Sequence, residues 1–153
     1  MPTKILMVCL GNICRSPLAE GILASKLPKE DFLVDSAGTG NWHVGNPPDK
    51  RSIQVAKNHH VAIHQQKARQ FKVSDFDTFD HIFVMDLQNY QDVLKLAPTI
   101  THAEKVKLLL DVLFPNEKVE VPDPYYGSER DFEQVYQLLN NACTVLAEQL
   151  MQS

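Results

Sequence analysis

The amino-acid sequence predicts an α/β fold, with a four-stranded parallel sheet and helices packed on both of its faces. Short apolar runs alternate along the chain with segments of helical period, an order that is typical of parallel sheets. No internal repeat, low-complexity segment or linker interrupts the 153 residues. We therefore predict a single domain over residues 1–153.

The first half of the chain supplies two strands and two helices. A short apolar run bounded by turn residues predicts the first strand over residues 4–9. Ser16 and Pro17 then predict a helix start, because serine caps helices well and proline suits the first helical position. A second strand is predicted over residues 32–37. A loop rich in glycine, asparagine and proline separates it from a helix over residues 49–59.

The second half repeats the alternation and ends in a long helix. Strands are predicted over residues 81–85 and 106–110, with a helix over residues 87–97 between them. Residues 111–128 contain three prolines and are predicted to form a loop. The last helix, over residues 129–151, carries apolar side chains at helical spacing, namely Phe132, Val135, Leu139, Cys143, Leu146 and Leu150.

Composition excludes several classes of protein. Hydrophobic residues make up 44% and charged residues 22%, which is typical of a soluble globular domain. The net charge of −4 argues against nucleic-acid binding through a general basic surface. The apolar run at residues 5–10 is too short for a signal peptide and no stretch could span a membrane, so we predict a cytoplasmic protein. Three cysteines without a CxxC pair favour free thiols.

The segment between the first strand and the first helix, residues 9–16, is here named the phosphate loop. A tight turn that enters a helix points several backbone N–H groups at one spot, where the helix dipole adds positive potential. Gly11 and Asn12 are residue types that tolerate the unusual backbone angles of such a turn. The carboxyl end of a strand is also where open α/β sheets bind their ligands. These features predict an anion-binding site.

The side chains that could take part in a reaction lie at the two ends of the phosphate loop. The field that attracts an anion also favours the thiolate of Cys9, and Ser16 could donate a hydrogen bond to its sulfur. Arg15 has a planar fork that can grip two phosphoryl oxygens at once. The spacing alone also fits a core cysteine beside a solvated arginine, but the position between a strand and a helix favours the functional interpretation.

These residues resemble a known family. The segment Val8-Cys9-Leu10-Gly11-Asn12-Ile13-Cys14-Arg15-Ser16-Pro17 is similar to the signature of the low-molecular-weight protein tyrosine phosphatases. The similarity extends over nearly the whole chain, through Asp35-Ser36-Ala37-Gly38-Thr39, Lys67-Ala68-Arg69-Gln70, Met85-Asp86 and Asp123-Pro124-Tyr125-Tyr126-Gly127. The resemblance implies a flavodoxin-like sheet of the phosphotyrosine phosphatase I type.

The resemblance also implies a reaction that needs neither metal nor cofactor. Cys9 would attack phosphorus, Arg15 would hold the phosphoryl oxygens, and Asp123 would act as general acid and then as general base. Asp123 stands between two prolines, which restrict the backbone that carries its carboxyl group. The substrates would be phosphotyrosine-containing proteins or peptides, and a tyrosine kinase or its targets are candidate partners.

Aromatic residues are candidates for the walls of a slot that accepts an aromatic phosphate. Trp42, Tyr125 and Tyr126 are the residues concerned, and each also fits ordinary half-buried packing. Leu10 and Ile13 would add apolar contact at the rim. The resemblance implies that Asn12, Ser16 and Ser36 brace the phosphate loop by hydrogen bonds.

The sequence departs from the family pattern ahead of Ala68-Arg69. Many members carry a histidine two residues before this pair, whereas this chain has Gln66, with His64 two places earlier. Either residue is a candidate for the bracing role. Cys14 lies beside the predicted nucleophile and could trap an oxidised Cys9 as a disulfide.

Three other interpretations fit the sequence less well. An arsenate reductase on the same fold would need a further cysteine pair after the third strand, and residues 85–97 contain no cysteine. A phosphotyrosine-binding module without activity would not need Cys9, Arg15 and Asp123 together. His60 and His64 are four residues apart, but no third ligand at suitable spacing completes a metal site.

Overall fold

The computed structural model describes residues 1–153. Its four strands are β1 (Thr3–Cys9), β2 (Phe32–Gly38), β3 (His81–Val84) and β4 (Val106–Leu108). Its six α-helices are α1 (Arg15–Lys26), α2 (Lys50–Asn58), α3 (Asp75–Thr78), α4 (Leu87–Leu94), α5 (Ile100–Ala103) and α6 (Glu129–Gln152). A 3₁₀ turn at Leu109–Val112 follows β4. None of the helices is both long enough and apolar enough to cross a membrane.

The four strands form one parallel sheet in the order β2-β1-β3-β4. After β2 the chain crosses to the other side of β1, so a topological switch point lies beside the carboxyl end of β1. Open α/β sheets bind their ligands at such a point. Cys9 is the last residue of β1 and pairs in register with Gly38 at the end of β2.

Alternation along β1 divides the core between the two faces of the sheet. Ile5, Met7 and Cys9 point into the larger apolar cluster, which also contains the buried faces of α1 and α6. Leu6 and Val8 point into a smaller cluster on the opposite face, which α3 and α4 cover. The sheet therefore has helices on both faces, as predicted, and the Cys9 side chain faces the side of α1.

The predicted elements are confirmed, with differences at their ends. Helix α1 begins at Arg15, so Ser16 lies inside its first turn and the prediction that it caps the helix is wrong. Its hydroxyl group is instead engaged with the Cys9 sulfur. The predicted fourth strand ends two residues early because Leu109 begins the 3₁₀ turn. Helices α3 and α5 were not predicted, because four residues are too few to show a helical period.

Candidate active site

The phosphate loop wraps from the end of β1 into the first turn of α1. Asn12 adopts a φ of 57°, the left-handed conformation that asparagine tolerates better than most residues. Gly11 does not have a positive φ, so the prediction of an unusual backbone angle holds for Asn12 alone. A side chain at position 11 would lie 3.1 Å from the His43 ring, so the glycine serves close packing.

The end of β2 packs directly against the phosphate loop. The backbone N–H groups of Thr39 and Gly40 donate to the carbonyls of Cys9 and Leu10, each at 2.9 Å. A Cβ atom at Gly38 would lie 2.7 Å from the Leu10 carbonyl oxygen. Only glycine permits this approach, which holds the first two residues of the phosphate loop against the end of β2.

A chain of hydrogen bonds inside the protein ends on the Cys9 sulfur. The backbone N–H of Arg69 donates to Asn12 Oδ1 at 3.0 Å, which orients the Asn12 amide. Asn12 Nδ2 then donates to Ser16 Oγ at 2.7 Å and to Ser36 Oγ at 3.0 Å. Ser16 Oγ accepts from Asn12, and Cys9 Sγ at 2.9 Å is nearer to it than the Ala37 carbonyl at 3.5 Å, so its own proton is directed at the sulfur. Such a bond stabilises a thiolate.

Glu20 ends the other branch of this network. Ser36 Oγ accepts from Asn12 and donates to Glu20 Oε1 at 2.7 Å. Burial raises the pKa of Glu20 to about 7, although the hydrogen bond from Ser36 acts in the opposite direction. Glu20 was not among the residues predicted from the sequence. Its position four residues after Ser16 puts both on one face of α1, which was the available signal.

The two candidates for the missing histidine do not join the network. Gln66 donates from Nε2 to the Pro17 carbonyl at 3.1 Å, and His64 is exposed. The partners of Asn12 are instead Ser36 and the Arg69 backbone. The Arg69 side chain is itself held by ion pairs to Asp35 and Asp75. Gln66 therefore braces the first turn of α1 from outside.

Arg15 lies beneath the cleft with 3% of its side chain exposed. Its Nη1 donates to Asp86 Oδ2 at 2.7 Å and to the Val121 carbonyl at 3.0 Å. Burial disfavours the charged form, but the charge of Cys9 and the hydrogen bond to Asp86 outweigh it and raise the pKa of Arg15. These contacts use Nη1 alone, which leaves Nε and Nη2 to bind an anion as a fork.

Asp86 belongs to the part of the sequence that resembles the family, but no role for it was predicted, and the structure gives it one. It follows β3, so its side chain stands at the carboxyl edge of the sheet beside the phosphate loop. Its Oδ1 caps α4 by accepting from the Asn89 N–H at 2.7 Å, while Oδ2 holds Arg15. The rule that ligands bind at this edge was the signal that could have found it.

Asp123 approaches the site on a separate stretch of chain, residues 121–127, here named the acid segment. Its Oδ1 accepts from the Tyr125 N–H at 3.1 Å, and its Oδ2 lies 3.6 Å from Arg15 Nη2. The Asp123 side chain is 44% exposed, in contrast with the buried Arg15. A carboxyl group in this position can exchange protons with solvent and still face a group held by Arg15.

One cleft of about 320 Å³ brings most of the predicted residues together. It is lined by Cys9, Leu10, Gly11, Ile13, Cys14, Arg15, Trp42, His43, Asp123, Tyr125 and Tyr126. Asn12, Ser16 and Ser36 lie behind it and act through the hydrogen bonds described above. Trp42 and Tyr126 stand at the outer rim, where 68% and 97% of their surfaces are exposed. His43 was missed, because a single histidine in a loop carries no pattern.

The two remaining thiols differ from Cys9 in their surroundings. Burial, and next the negative charge of Asp49, raise the pKa of the Cys14 thiol to about 12. Burial alone raises the pKa of Cys143 to about 12, and this residue lies wholly inside the core, as predicted. Both are protonated thiols at neutral pH.

Comparison with known proteins identifies relatives along the whole chain. The sequence model of the family "Low molecular weight phosphotyrosine protein phosphatase" matches residues 4–153. A protein of Synechocystis described as a low molecular weight protein-tyrosine-phosphatase is 43% identical over 92% of this chain and 91% of its own. The protein tyrosine phosphatase of Entamoeba histolytica superimposes with a TM-score of 0.92, at 38% identity over 98% of this chain and 97% of that one. Wzb of Vibrio vulnificus, solved in complex with benzylphosphonate, superimposes with a TM-score of 0.87 at 31% identity over 96% of this chain and 98% of that one.

Proposed function

We propose that this chain, a protein-tyrosine phosphatase that belongs to the low-molecular-weight phosphotyrosine protein phosphatase family, uses Cys9 as nucleophile, Arg15 as phosphate clamp and Asp123 as general acid. The observation that supports these roles is that all three residues line one cleft. A thiol, a cationic fork and a half-exposed carboxyl group are the parts that phosphoryl transfer from an aryl ester needs.

The first step transfers the phosphoryl group to sulfur. The Cys9 thiolate attacks phosphorus, an S–P bond forms, and the P–O bond to the tyrosyl oxygen breaks. Asp123 gives its proton to that oxygen, so that tyrosine leaves as a neutral phenol. Arg15 and the backbone N–H groups of the phosphate loop bind the equatorial oxygens as their charge develops.

The second step releases inorganic phosphate. Asp123, now a carboxylate, takes a proton from water, whose oxygen attacks phosphorus as the S–P bond breaks. Cys9 returns as a thiolate, stabilised by the hydrogen bond from Ser16 at 2.9 Å. No metal or cofactor takes part in either step.

The shape of the cleft supports a preference for aromatic phosphates. Cys9 lies in the cleft with 3% of its surface exposed, and Tyr125 and Trp42 line the same cleft. A phosphoserine is too short to bring its phosphorus to this depth. The benzylphosphonate bound by the Vibrio vulnificus relative is likewise an aromatic phosphate mimic.

The cysteines of the chain indicate the compartment in which the enzyme works, and its family indicates its substrates. We propose a single domain over residues 1–153 in the cytoplasm, because three free thiols suit a reducing compartment. Phosphotyrosine-containing proteins are its substrates, and a tyrosine kinase or the targets of that kinase are proposed as its partners.

We also propose that the site is redox-sensitive. Peroxide would oxidise the Cys9 thiolate to a sulfenic acid, which would condense with the Cys14 thiol to a disulfide and water. Both residues line the cleft. Thiol reductant should then revive peroxide-treated parent enzyme but not the Cys14→Ser variant. Equal recovery of the two would contradict the proposal.

The central experiment measures metal-free hydrolysis of p-nitrophenyl phosphate and of matched phosphotyrosine and phosphoserine peptides. The parent should act on the two aromatic substrates and leave the phosphoserine peptide unchanged. Cys9→Ser should abolish turnover, and Asp123→Ala should lower kcat/KM for phosphotyrosine at least about 100-fold, the usual contribution of a general acid. Cys143→Ser, a thiol removed from the core rather than the cleft, is the matched control.

Two results would overturn the assignment. Turnover by Cys9→Ser would exclude a phosphocysteine intermediate. A parent without activity under reducing conditions, which still binds phosphotyrosine, would favour the binding module, and thiol-dependent reduction of arsenate would favour the reductase.

A further inference from the structure

We propose that Arg51 is a positioning residue that holds the acid segment, and with it the Asp123 carboxyl group, over Cys9. This inference depends on the proposed role of Asp123 as general acid. Arg51 lies in the first turn of α2, and it is not among the residues that line the cleft. Its effect on the reaction must therefore pass through the residues that it holds.

The acid segment has few attachments to the rest of the protein. The Tyr125 N–H donates to Asp123 Oδ1, and the Gly127 N–H donates to the Pro124 carbonyl. Both of these hydrogen bonds lie within the segment. From Pro122 to Gly127, the hydrogen bonds that reach outside are the two donated by Arg51. Nη2 donates to the Tyr125 carbonyl at 2.9 Å, and Nη1 donates to the Gly127 carbonyl at 3.2 Å.

The same guanidinium is fixed on its other side. Its Nε and Nη2 donate to the two carboxylate oxygens of Asp49 at 3.0 and 2.9 Å, a bidentate ion pair. Its Cζ also lies 4.4 Å from the centre of the Phe132 ring in α6. Both contacts restrict the side chain, so its fork points at the acid segment in one orientation.

Asp49 connects this clamp to the phosphate loop. Its backbone N–H donates to the Ile13 carbonyl at 2.8 Å, and Ser52 Oγ lies 3.5 Å from the Cys14 carbonyl oxygen. The start of α2 therefore touches the phosphate loop with its backbone and the acid segment with Arg51. This arrangement sets the distance between the nucleophile and the proton donor.

A merely structural role and a positioning role predict different kinetics. A phenol that is a poor leaving group needs its proton from Asp123, whereas dinitrophenolate leaves as a stable anion without one. Loss of the clamp should therefore impair hydrolysis of phosphotyrosine and spare hydrolysis of dinitrophenyl phosphate. General damage to the fold or to phosphate binding would impair both substrates equally.

The test compares kcat/KM on these two substrates for the parent, Arg51→Gln and Arg51→Lys. Arg51→Gln should lose roughly 10-fold on a phosphotyrosine peptide, part of what a general acid contributes, and less than about twofold on dinitrophenyl phosphate. Arg51→Lys keeps the charge but lacks the fork, so it should show the same selective loss.

Arg130 provides the matched control. It is an exposed arginine on α6 that borders the same surface groove as Arg51, and its side chain makes no hydrogen bond or ion pair. Arg130→Gln removes an equal charge and should leave both rates within about twofold of the parent. If it shows the selective loss as well, the effect is one of surface charge and the proposal is wrong.

A double mutant separates this proposal from the proposed function. In an Asp123→Ala background, Arg51→Gln should cause no further loss on phosphotyrosine, because no acid remains to be positioned. An additional 10-fold loss there, or an equal loss on both substrates in the single mutant, would overturn the proposal. If Asp123→Ala alone leaves phosphotyrosine hydrolysis unchanged, the role of Asp123 is wrong and the inference with it. If Asp123→Ala is impaired and Arg51→Gln is not, only the inference fails.

Discussion

The phosphate loop and the acid segment build the two halves of the site in opposite ways. The phosphate loop lies between a central strand and a helix, and Asn12, Arg15 and Ser16 within it are all buried. Its hydrogen bonds converge on Cys9 from β2 and from the Arg69 backbone. Most of the acid segment is exposed, and from Pro122 to Gly127 Arg51 alone ties it to the body of the protein by hydrogen bonds.

The difference matches the two tasks. Binding a phosphoryl group as its charge develops requires donors that are already in place and do not reorganise. Proton transfer requires a carboxyl group that reaches both the leaving oxygen and water, which a buried group could not do. Damage to the phosphate loop should therefore lower both activity and stability, whereas damage to the acid segment should lower activity alone.

The largest effect is expected for Asn12→Ala. The change removes three hydrogen bonds, two of them buried, and places alanine at a φ of 57°. At about 1 kcal/mol for each bond and about 1 kcal/mol for the left-handed backbone, the free energy of unfolding should fall by roughly 3–4 kcal/mol. The value of kcat/KM should fall about 100-fold, comparable to the loss of an oxyanion donor. Urea unfolding and steady-state kinetics measure both.

Asn12→Gly is the control that separates the two causes. Glycine adopts a positive φ without strain, so this variant should be about 1 kcal/mol more stable than Asn12→Ala. Its activity should remain as low, because the hydrogen bonds are lost in both. Recovery of activity in Asn12→Gly would show that backbone strain, rather than the network, limits the alanine variant.

The next effect concerns the pH dependence of stability. Burial raises the pKa of Glu20 from 4.5 to about 7, so the folded state binds this proton more tightly than the unfolded state. The stabilisation is present in full below about pH 4.5 and is lost as the pH rises through about 7. Relative to Glu20→Gln, the parent should lose on the order of 2 kcal/mol across this window, allowing for partial solvent screening.

The measurement is the difference in unfolding free energy between parent and Glu20→Gln from pH 4 to pH 8, a range that spans both pKa values. Groups common to both proteins cancel in this difference. A flat difference would mean that Glu20 has an ordinary pKa. Glu148→Gln, which removes an exposed carboxyl group on α6, serves as the control.

A smaller effect is expected for Asp86→Asn. Asparagine caps a helix as well as aspartate, so α4 should keep its start. Its amide nitrogen takes the place of the oxygen that holds the buried Arg15 at 2.7 Å and cannot accept a hydrogen bond, so the free energy of unfolding should fall by about 1–2 kcal/mol. We expect kcat/KM to fall about 10-fold, a change of roughly 1.4 kcal/mol, and competitive inhibition by inorganic phosphate to weaken. Loss of stability without loss of phosphate affinity would contradict this role.

How far the sequence predicted the site depends on how local each part is. The phosphate loop is one continuous segment, so its residues and its place between β1 and α1 were predictable from spacing and residue type. Asp123 is distant in sequence and was identified through a family resemblance. What brings it to Arg15 is the backbone of Val121, which bonds to Met85 at 2.8 Å and to Arg15 at 3.0 Å.

The contacts that complete the site cross between elements. Ser36 reaches Asn12 because β1 and β2 pair in parallel with Cys9 opposite Gly38, a register that no single segment encodes. Asp86 reaches Arg15 because β3 lies on the other side of β1. Even the helix cap was misplaced for this reason, since Ser16 bonds to a sulfur on the preceding strand instead of to its own helix.

The smallest effect is expected at the rim of the cleft. Trp42 and Tyr126 line the cleft but are largely exposed, so their removal should leave the unfolding free energy unchanged within about 0.5 kcal/mol. An aromatic contact at such a site contributes about 0.5–1.5 kcal/mol. Trp42→Ala should therefore raise KM for a phosphotyrosine peptide about threefold and leave kcat unchanged. Tyr126→Ala, at the more exposed position, should do less.

This last prediction tests whether the rim belongs to the chemistry or only to binding. A rim that merely collects the substrate changes KM, because its contacts are the same in the ground state and in the transition state. A fall in kcat in Trp42→Ala, with stability unchanged, would instead place the indole in the reaction itself. The exposed rim would then stabilise the transition state as the buried phosphate loop does. The exposed and buried halves of the site would no longer differ in their role.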